Sequence, residues 1–369
     1  MIFRFMKLMK DRLYSRLLFI CLFSCALVST SCEKSQMDDV DASGSEVVNL
    51  SQEGFANCYV VSKEGAYAFT PTRGNSDESV GEIASVEALW ESDVNGEIST
   101  SCVLITDLEY VDGQITFKTP KSLTEGNIVI AAKNSRGTIL WSWHIWITGR
   151  MTKQIYNNNA GDVMPRNLGA LSGKSGEVGS SGLLYQWGRK DPFLGNMPDK
   201  VASSPATGTI DFVIQNPMVF VTADSSNHDW YYTGSRETDD TRWTDSSSKK
   251  SIYDPCPAGW RVPDGGNDGL WAKAAGSSVY FYDYPYDNEN GGMNFSNKFS
   301  SAGNVWYPAA GFIDSNSALL SGVGVYGCYW TASAYGYAAY CLYFNESGSV
   351  VPADFNYRAS AFSIRCVKE

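Results

Sequence analysis

The run Leu140-Trp141-Ser142-Trp143-His144-Ile145-Trp146-Ile147 constrains the fold more than any other stretch of the chain. On a strand, successive side chains point to opposite faces. Trp141, Trp143, Ile145 and Ile147 therefore share one face, and Leu140, Ser142, His144 and Trp146 share the other. Aromatic and β-branched residues suit a pleated, half-buried surface. The first set is expected to face a core and the second to pack against a following domain. His144 has no accompanying cluster of ligating residues, so it reads as packed rather than as a ligand or base. Trp146 reads as domain-interface packing.

The flanking sequence agrees with a β reading. Strands are expected over 56–61, 66–70, 85–91, 101–106, 108–111, 114–118, 127–132 and 138–148. Asp112-Gly113 is a two-residue hairpin signal, and Asn134-Ser135-Arg136-Gly137 supplies another turn. So many short strands within about 100 residues predict a β-sandwich. Near Met151 the alternation fades into aromatic–glycine loops, which places a domain boundary at about residue 150. Two short helices are expected beyond it, around 182–190 and 267–275, with Asn267 or Asp268 capping the second. Composition supports this: 11 Trp, 21 Tyr, 17 Phe and 34 Gly, with only 19% charged residues, describe neither a disordered chain nor a helical bundle.

The first 16 residues carry Arg4, Lys7, Lys10, Arg12 and Arg16 against one acid, Asp11. An apolar run, Leu17 to Val28, follows; it is too short for a hydrocarbon layer of roughly 30 Å. With Ser29, Thr30 and Ser31 after it, residues 1–31 read as a secretory signal. The stretch ending at Cys32 resembles a bacterial lipobox, which implies cleavage before Cys32 and lipidation of its thiol. Residues 32–46 form a polar, acidic tether, similar to the surface-export signal of Bacteroidota lipoproteins. The expected location is the outer membrane, lipid-anchored and facing outward. Losing residues 1–31 removes a net +4, which takes the formal charge from -11 to about -15. Such an acidic chain is not expected to bind nucleic acid.

Six cysteines then remain: Cys58, Cys102, Cys256, Cys328, Cys341 and Cys366. Disulfides are permitted in an exported protein, and the absence of any C-x-x-C pair argues against a zinc site. Cys328 and Cys341 flank an expected hairpin and are candidates to bridge across it. His144 and His228 are the only histidines, which leaves little for His-based metal sites or triads. No metal and no cofactor are expected.

The second half carries distinctive motifs. They are Arg166-Asn167-Leu168-Gly169-Ala170, Gly182-Leu183-Leu184-Tyr185-Gln186-Trp187-Gly188, Asp254-Pro255-Cys256-Pro257-Ala258-Gly259-Trp260-Arg261-Val262-Pro263, Tyr329-Trp330-Thr331-Ala332-Ser333, and Phe362-Ser363-Ile364-Arg365-Cys366-Val367. Together, over about residues 155–369, they resemble the Fibrobacter succinogenes major paralogous domain (FISUMP) family of Bacteroidota surface lipoproteins and fimbrillin-like proteins. Their order also looks like that of formylglycine-generating-enzyme domains, which have a variant C-type-lectin-like fold. The resemblance implies a mostly β protein with short helices: an Ig- or fimbrillin-like β-sandwich over 47–150, then an α+β C-type-lectin-like domain over 151–369. Beside that picture, a Cys256–Cys366 bridge closing a loop of about 110 residues is plausible and would contribute ~4–5 kcal/mol. Two departures stand out: Pro165 occupies a place where an acidic residue is expected, and the Pro263–Gly269 loop replaces an acidic helix start.

The formylglycine enzymes hold copper through cysteines near the end of their domain. Here Cys328 and Cys341 sit in strand positions and no matching constellation accompanies them, so an oxidoreductase is the weakest reading and the protein is expected not to be an enzyme. Calcium-lectin motifs are missing, and Asp264–Gly269 reads as a turn. Two aromatic clusters remain as ligand-binding candidates. One holds Tyr282, Tyr284, Tyr286, Asn288 and Asn290; the other holds Trp230 and Tyr231 beside His228. Aromatic faces beside polar groups suit glycan or protein ligands. The expected function is non-catalytic adhesion to a glycan or protein, by a standalone lipoprotein or a minor or tip subunit among other fimbrial subunits. The alternative is a structural fimbria component without a ligand of its own.

Overall fold

Alternating strand runs build two sheets in the first half. The computed structural model describes residues 46–369, except 94, 95, 97, 100–103, 178, 196–199, 224, 225, 227 and 233–238. The expectations for Cys32, the signal segment, the tether up to residue 45 and Cys102 lie outside the described residues. Strands β1 (Val47–Asn49), β3 (Ala66–Phe69), β7 (Gln114–Lys118) and β6 (Thr106–Val111) form one sheet in that order. Strands β2 (Cys58–Val61), β9 (Ile139–Ile147), β8 (Gly126–Lys133), β4 (Ser85–Ser92) and β5 (Ile98–Ser99) form the other. Asp112 and Gly113 both have positive φ, as a type I′ turn between β6 and β7 requires. The expectation of a strand over 101–106 falls partly outside the described residues; β1 and β5 were not foreseen.

Trp141, Trp143, Ile145 and Ile147 of β9 share a core with Phe69, Ile115, Phe117, Ile128 and Ile130. Both sheets contribute to it, which fits a β-sandwich. Trp146, on the other face of β9, belongs to a second cluster with Cys58, Trp90, Trp187, Trp243 and Trp330. That cluster runs across residue 150, although among the described residues no sheet does. Polar groups reinforce the seam. Asn57 Nδ2 donates to the carbonyls of Ile252 and Asp254 at 2.8 Å. Asn127 Nδ2 donates to Gly169 O at 3.0 Å. Lys190 Nζ reaches Ser142 O at 3.0 Å and Asp191 Oδ1 at 2.7 Å, and all three residues are buried. Desolvation holds the Lys190 ammonium below its ordinary pKa, opposed by the Asp191 carboxylate.

Beyond residue 150 the structure stays mostly β, in several sheets with helices of at most six residues among the described segments. A four-stranded sheet orders Gln154–Tyr156, Gly161–Val163, Val367–Lys368 and Trp260–Arg261. Cys256 and Cys366 are disulfide-bonded beside it, with Cα atoms 6.1 Å apart across a sequence separation of 110. The largest sheet carries the meander Tyr326–Tyr335, Ala338–Asn345 and Val350–Tyr357 at one end. No described helix is long and apolar enough to cross a membrane.

Two helix expectations need correction. Residues 182–190 are not helical: Leu184–Gln186 is a strand paired with Ala361–Ser363. Gly182 and Gly188 flank it with positive φ, and Leu184, Tyr185 and Gln186 are all buried, as in a central strand. The second helix exists but is shorter, Leu270–Ala275, and its N-cap is Gly269 rather than Asn267 or Asp268. A Cβ at Gly269 would stand 2.5 Å from Gly265, so no side chain fits there.

Candidate functional site

The motifs behind the family resemblance bond to one another. Arg365 Nη2 donates to Asn167 Oδ1 at 2.7 Å. Trp330 Nε1 donates to Tyr185 O at 2.9 Å, and Trp187 Nε1 to Thr331 O at 2.8 Å. The Asp254 carboxylate accepts the N–H groups of Cys256 and Val262, both at 2.8 Å. Burial raises the Asp254 pKa despite nearby Lys250. These residues are buried joints of the scaffold.

Trp230 belongs to the same scaffold. It has no exposed surface, and its Nε1 donates to Trp187 O at 2.7 Å. The Arg242 guanidinium lies 4.7 Å from its ring and 4.9 Å from the ring of Trp187. Arg358 lies 4.4 Å over Trp187. The buried Asp229 carboxylate serves both cations, at 3.1 Å from Arg242 Nη1 and 3.7 Å from Arg358 Nη1. As a ligand-binding residue Trp230 is therefore corrected: its ring faces are covered. Tyr231 is half-buried beside Arg242.

The 282–290 cluster divides. Tyr282 is 62% exposed and meets Tyr280 edge-on at 5.0 Å. Tyr284 and Tyr286 instead donate their hydroxyls to Asn294 O at 3.1 Å and Gly324 O at 2.6 Å, which ties the loop down. Burial raises the Tyr286 phenol to about 12, with Glu346 and Asp287 adding to the shift. Asn290 Nδ2 is held by Asp287 Oδ2 at 2.8 Å, and Asn288 is exposed. The structure thus leaves Tyr280 and Tyr282 open here and does not gather the other residues into one face.

Another exposed aromatic face lies on the meander. Its register pairs Tyr335 with Ala338, Ala338 with Tyr357, and Tyr340 with Phe355. Paired residues share a face, as do alternate residues along a strand. Tyr335, Tyr340, Phe355 and Tyr357 therefore stand together, around the small Ala338. The reverse face carries Ala339 and Cys341 into the core. Tyr335, Phe355 and Tyr357 are 47%, 50% and 44% exposed. The Tyr335 ring lies 4.6 Å from Phe355 and 5.0 Å from Tyr340. His228 stacks on Tyr357 at 4.0 Å, and Tyr337 is exposed at the turn. Gly265 and Gly266 press against Tyr340, where a Cβ would come within 2.6 and 3.3 Å of it. Large contiguous apolar patches rimmed by polar residues mark interaction sites on many proteins. Sequence reading missed this face, although Phe355-Asn356-Tyr357 alternates with the right period opposite Ala338 and Tyr340.

Among the described residues no group of three or more His, Cys, Asp or Glu is placed to hold a metal. His144 Nε2 meets Asn127 Oδ1 at 2.9 Å, and burial lowers its pKa to about 3, so the ring is neutral and structural. Cys58, Cys328 and Cys341 are buried free thiols whose pKa values burial pushes up. The expected Cys328–Cys341 bridge is not formed. Cys328 stands opposite Tyr343 and Cys341 opposite Trp330, so the two are offset along the hairpin. Compared with family models, curated proteins and solved structures, the chain matches none.

Proposed function

We propose that the mature chain is a lipid-anchored, outward-facing outer-membrane protein with a non-catalytic binding role, and that its ligand is a glycan. The reading adopts an N-terminal β-sandwich carrying a C-type-lectin-like head, as the resemblance implies. The observation that supports it is the open aromatic face of Tyr335, Tyr340, Phe355 and Tyr357. Aromatic rings offer large rigid contact area to the apolar face of a sugar ring, with phenol hydroxyls at hand for its polar edge. The mature chain's formal charge of about -15 repels anionic polymers and favours neutral or cationic glycans. As a tip or minor fimbrial subunit the protein would present this face outward.

A glycan array probed with the mature chain tests the idea. Saturable binding is expected, weakened at least tenfold by Phe355→Ala. Binding that survives Phe355→Ala and Tyr335→Ala together but disappears with Tyr282→Ala would move the site to the other loop. Mass spectrometry of the native N-terminus checks the anchor; an unmodified Cys32 rules it out.

A further inference from the structure

A groove of about 780 Å³ lies between the edge strands β1 and β2, with Met164, Trp260 and Lys368 from the second half as its third wall. We propose that this groove binds an extended, acidic peptide segment of a partner protein, added as a strand alongside β2. The first argument is the main chain. β2 pairs in parallel with β9, and the carbonyls of Asn57 and Val61 accept from His144 and Thr148. In a parallel ladder alternate residues bond to the same side. The next residues in phase, Cys58, Val60 and Ser62, therefore aim their N–H and C=O groups away from β9. Among the described residues no strand pairs with β2 on that side. Val60 and Ser62, at the open end, line the groove. Natural sheets usually protect such an edge, and an open one is a template for an incoming strand.

The second argument is charge. Lys63, Arg150 and Lys368 line the groove against one acid, Glu53, and all four are exposed. None of the three cations has an ion-pair partner among the described residues. In a mature chain with a formal charge of about -15, this local excess of two positive charges runs against the whole. It favours a strand bearing carboxylates and repels a basic one. Leu50, Val60, Met151 and Trp260 supply apolar wall for alternate side chains of the guest. An added strand presents its side chains alternately to the two sides, so a guest with carboxylates at every second position suits a site that is cationic and apolar at once.

The probe is a fluorescein-labelled ten-residue peptide of alternating valine and glutamate, titrated into the mature chain and read by fluorescence anisotropy. Saturable binding is expected, weakening as salt rises. Methylating alternate backbone nitrogens of the peptide is expected to weaken it at least tenfold, because those donors pair with β2. Replacing glutamate by lysine in the peptide should abolish saturation. The triple variant Lys63→Glu, Arg150→Glu, Lys368→Glu changes only exposed side chains and should lose at least tenfold. Equal affinity for the methylated peptide, or an unchanged affinity in the triple variant, overturns the proposal. So does the absence of saturable binding by the mature chain. If binding appears only after deletion of residues 33–45, the groove serves the chain's own acidic segment and the partner reading is wrong.

Discussion

Trp230 and Trp187 each lie against a guanidinium and donate their indole N–H to a main-chain carbonyl. A short step away, Tyr335 lies against Phe355, and Tyr357 shares their exposed face; the stack of His228 on Tyr357 joins the two regions. Both are dense in aromatic residues, yet one is sealed and the other open. The difference comes from partners remote in sequence. Arg242 and Arg358 close the first region, while the second sits at the outer end of a hairpin that nothing described covers. Aromatic density alone therefore carries no information about access; the register and the cations around the rings decide it.

The largest expected effects fall in the sealed region. Trp230→Ala removes a fully buried ring from the Arg242 and Trp187 contacts and should cost about 3–5 kcal/mol, measured by denaturant unfolding. Asp229→Asn takes the carboxylate from the buried Arg242 guanidinium, while Arg358 keeps Asp240, and belongs in the same range, about 3–5 kcal/mol. A change below about 1 kcal/mol in either variant would mean the region is not sealed as described.

A middle-sized effect is tied to pH. The folded pKa of His144 is lowered to about 3, below an unfolded value of about 6.5, so the unfolded chain binds its proton first. The stability from the neutral ring is complete above about pH 6.5 and is lost as pH falls toward 3. By pH 4 the loss is on the order of 3 kcal/mol. Thermal unfolding between pH 7 and pH 4 should show it, and His144→Gln should flatten the slope.

The smallest stability effect belongs to the open face. Phe355→Ala should leave unfolding within about 1 kcal/mol of the parent, because half the ring is already in water. It should still abolish most ligand binding. A large stability loss in this variant would make the face structural and erase its contrast with the Trp230 region.

Features set by neighbouring residues were legible from the chain alone. The alternation of β9 foretold both of its buried faces, and Asp112-Gly113 foretold the hairpin. Features set by distant partners were not. The Gly182–Lys190 stretch read as a helix, yet Leu184–Gln186 pairs with a strand some 175 residues later. Cys328 and Cys341 read as facing, but the hairpin register offsets them. Trp230 stood as a ligand-binding candidate because its cover, from Arg189 and Arg242, comes from outside its own short motif. For the same reason Tyr335, Phe355 and Tyr357 went unnoticed: only the finished meander sets them on one surface.

The place of Val367–Lys368 bears on how the protein is built. This strand lies inside its sheet, between Gly161–Val163 and Trp260–Arg261, and Cys366 beside it is bonded to Cys256. The strands β1 to β9 find their sheet partners among residues 47–147. In a chain delivered amino end first, the first two sheets can therefore assemble early. The later sheet must wait for residues 366–368, and until they arrive the Cys256 thiol has no correct mate. Before that point Cys58, Cys328 and Cys341, all free and buried in the finished fold, are the thiols it can meet among the described residues.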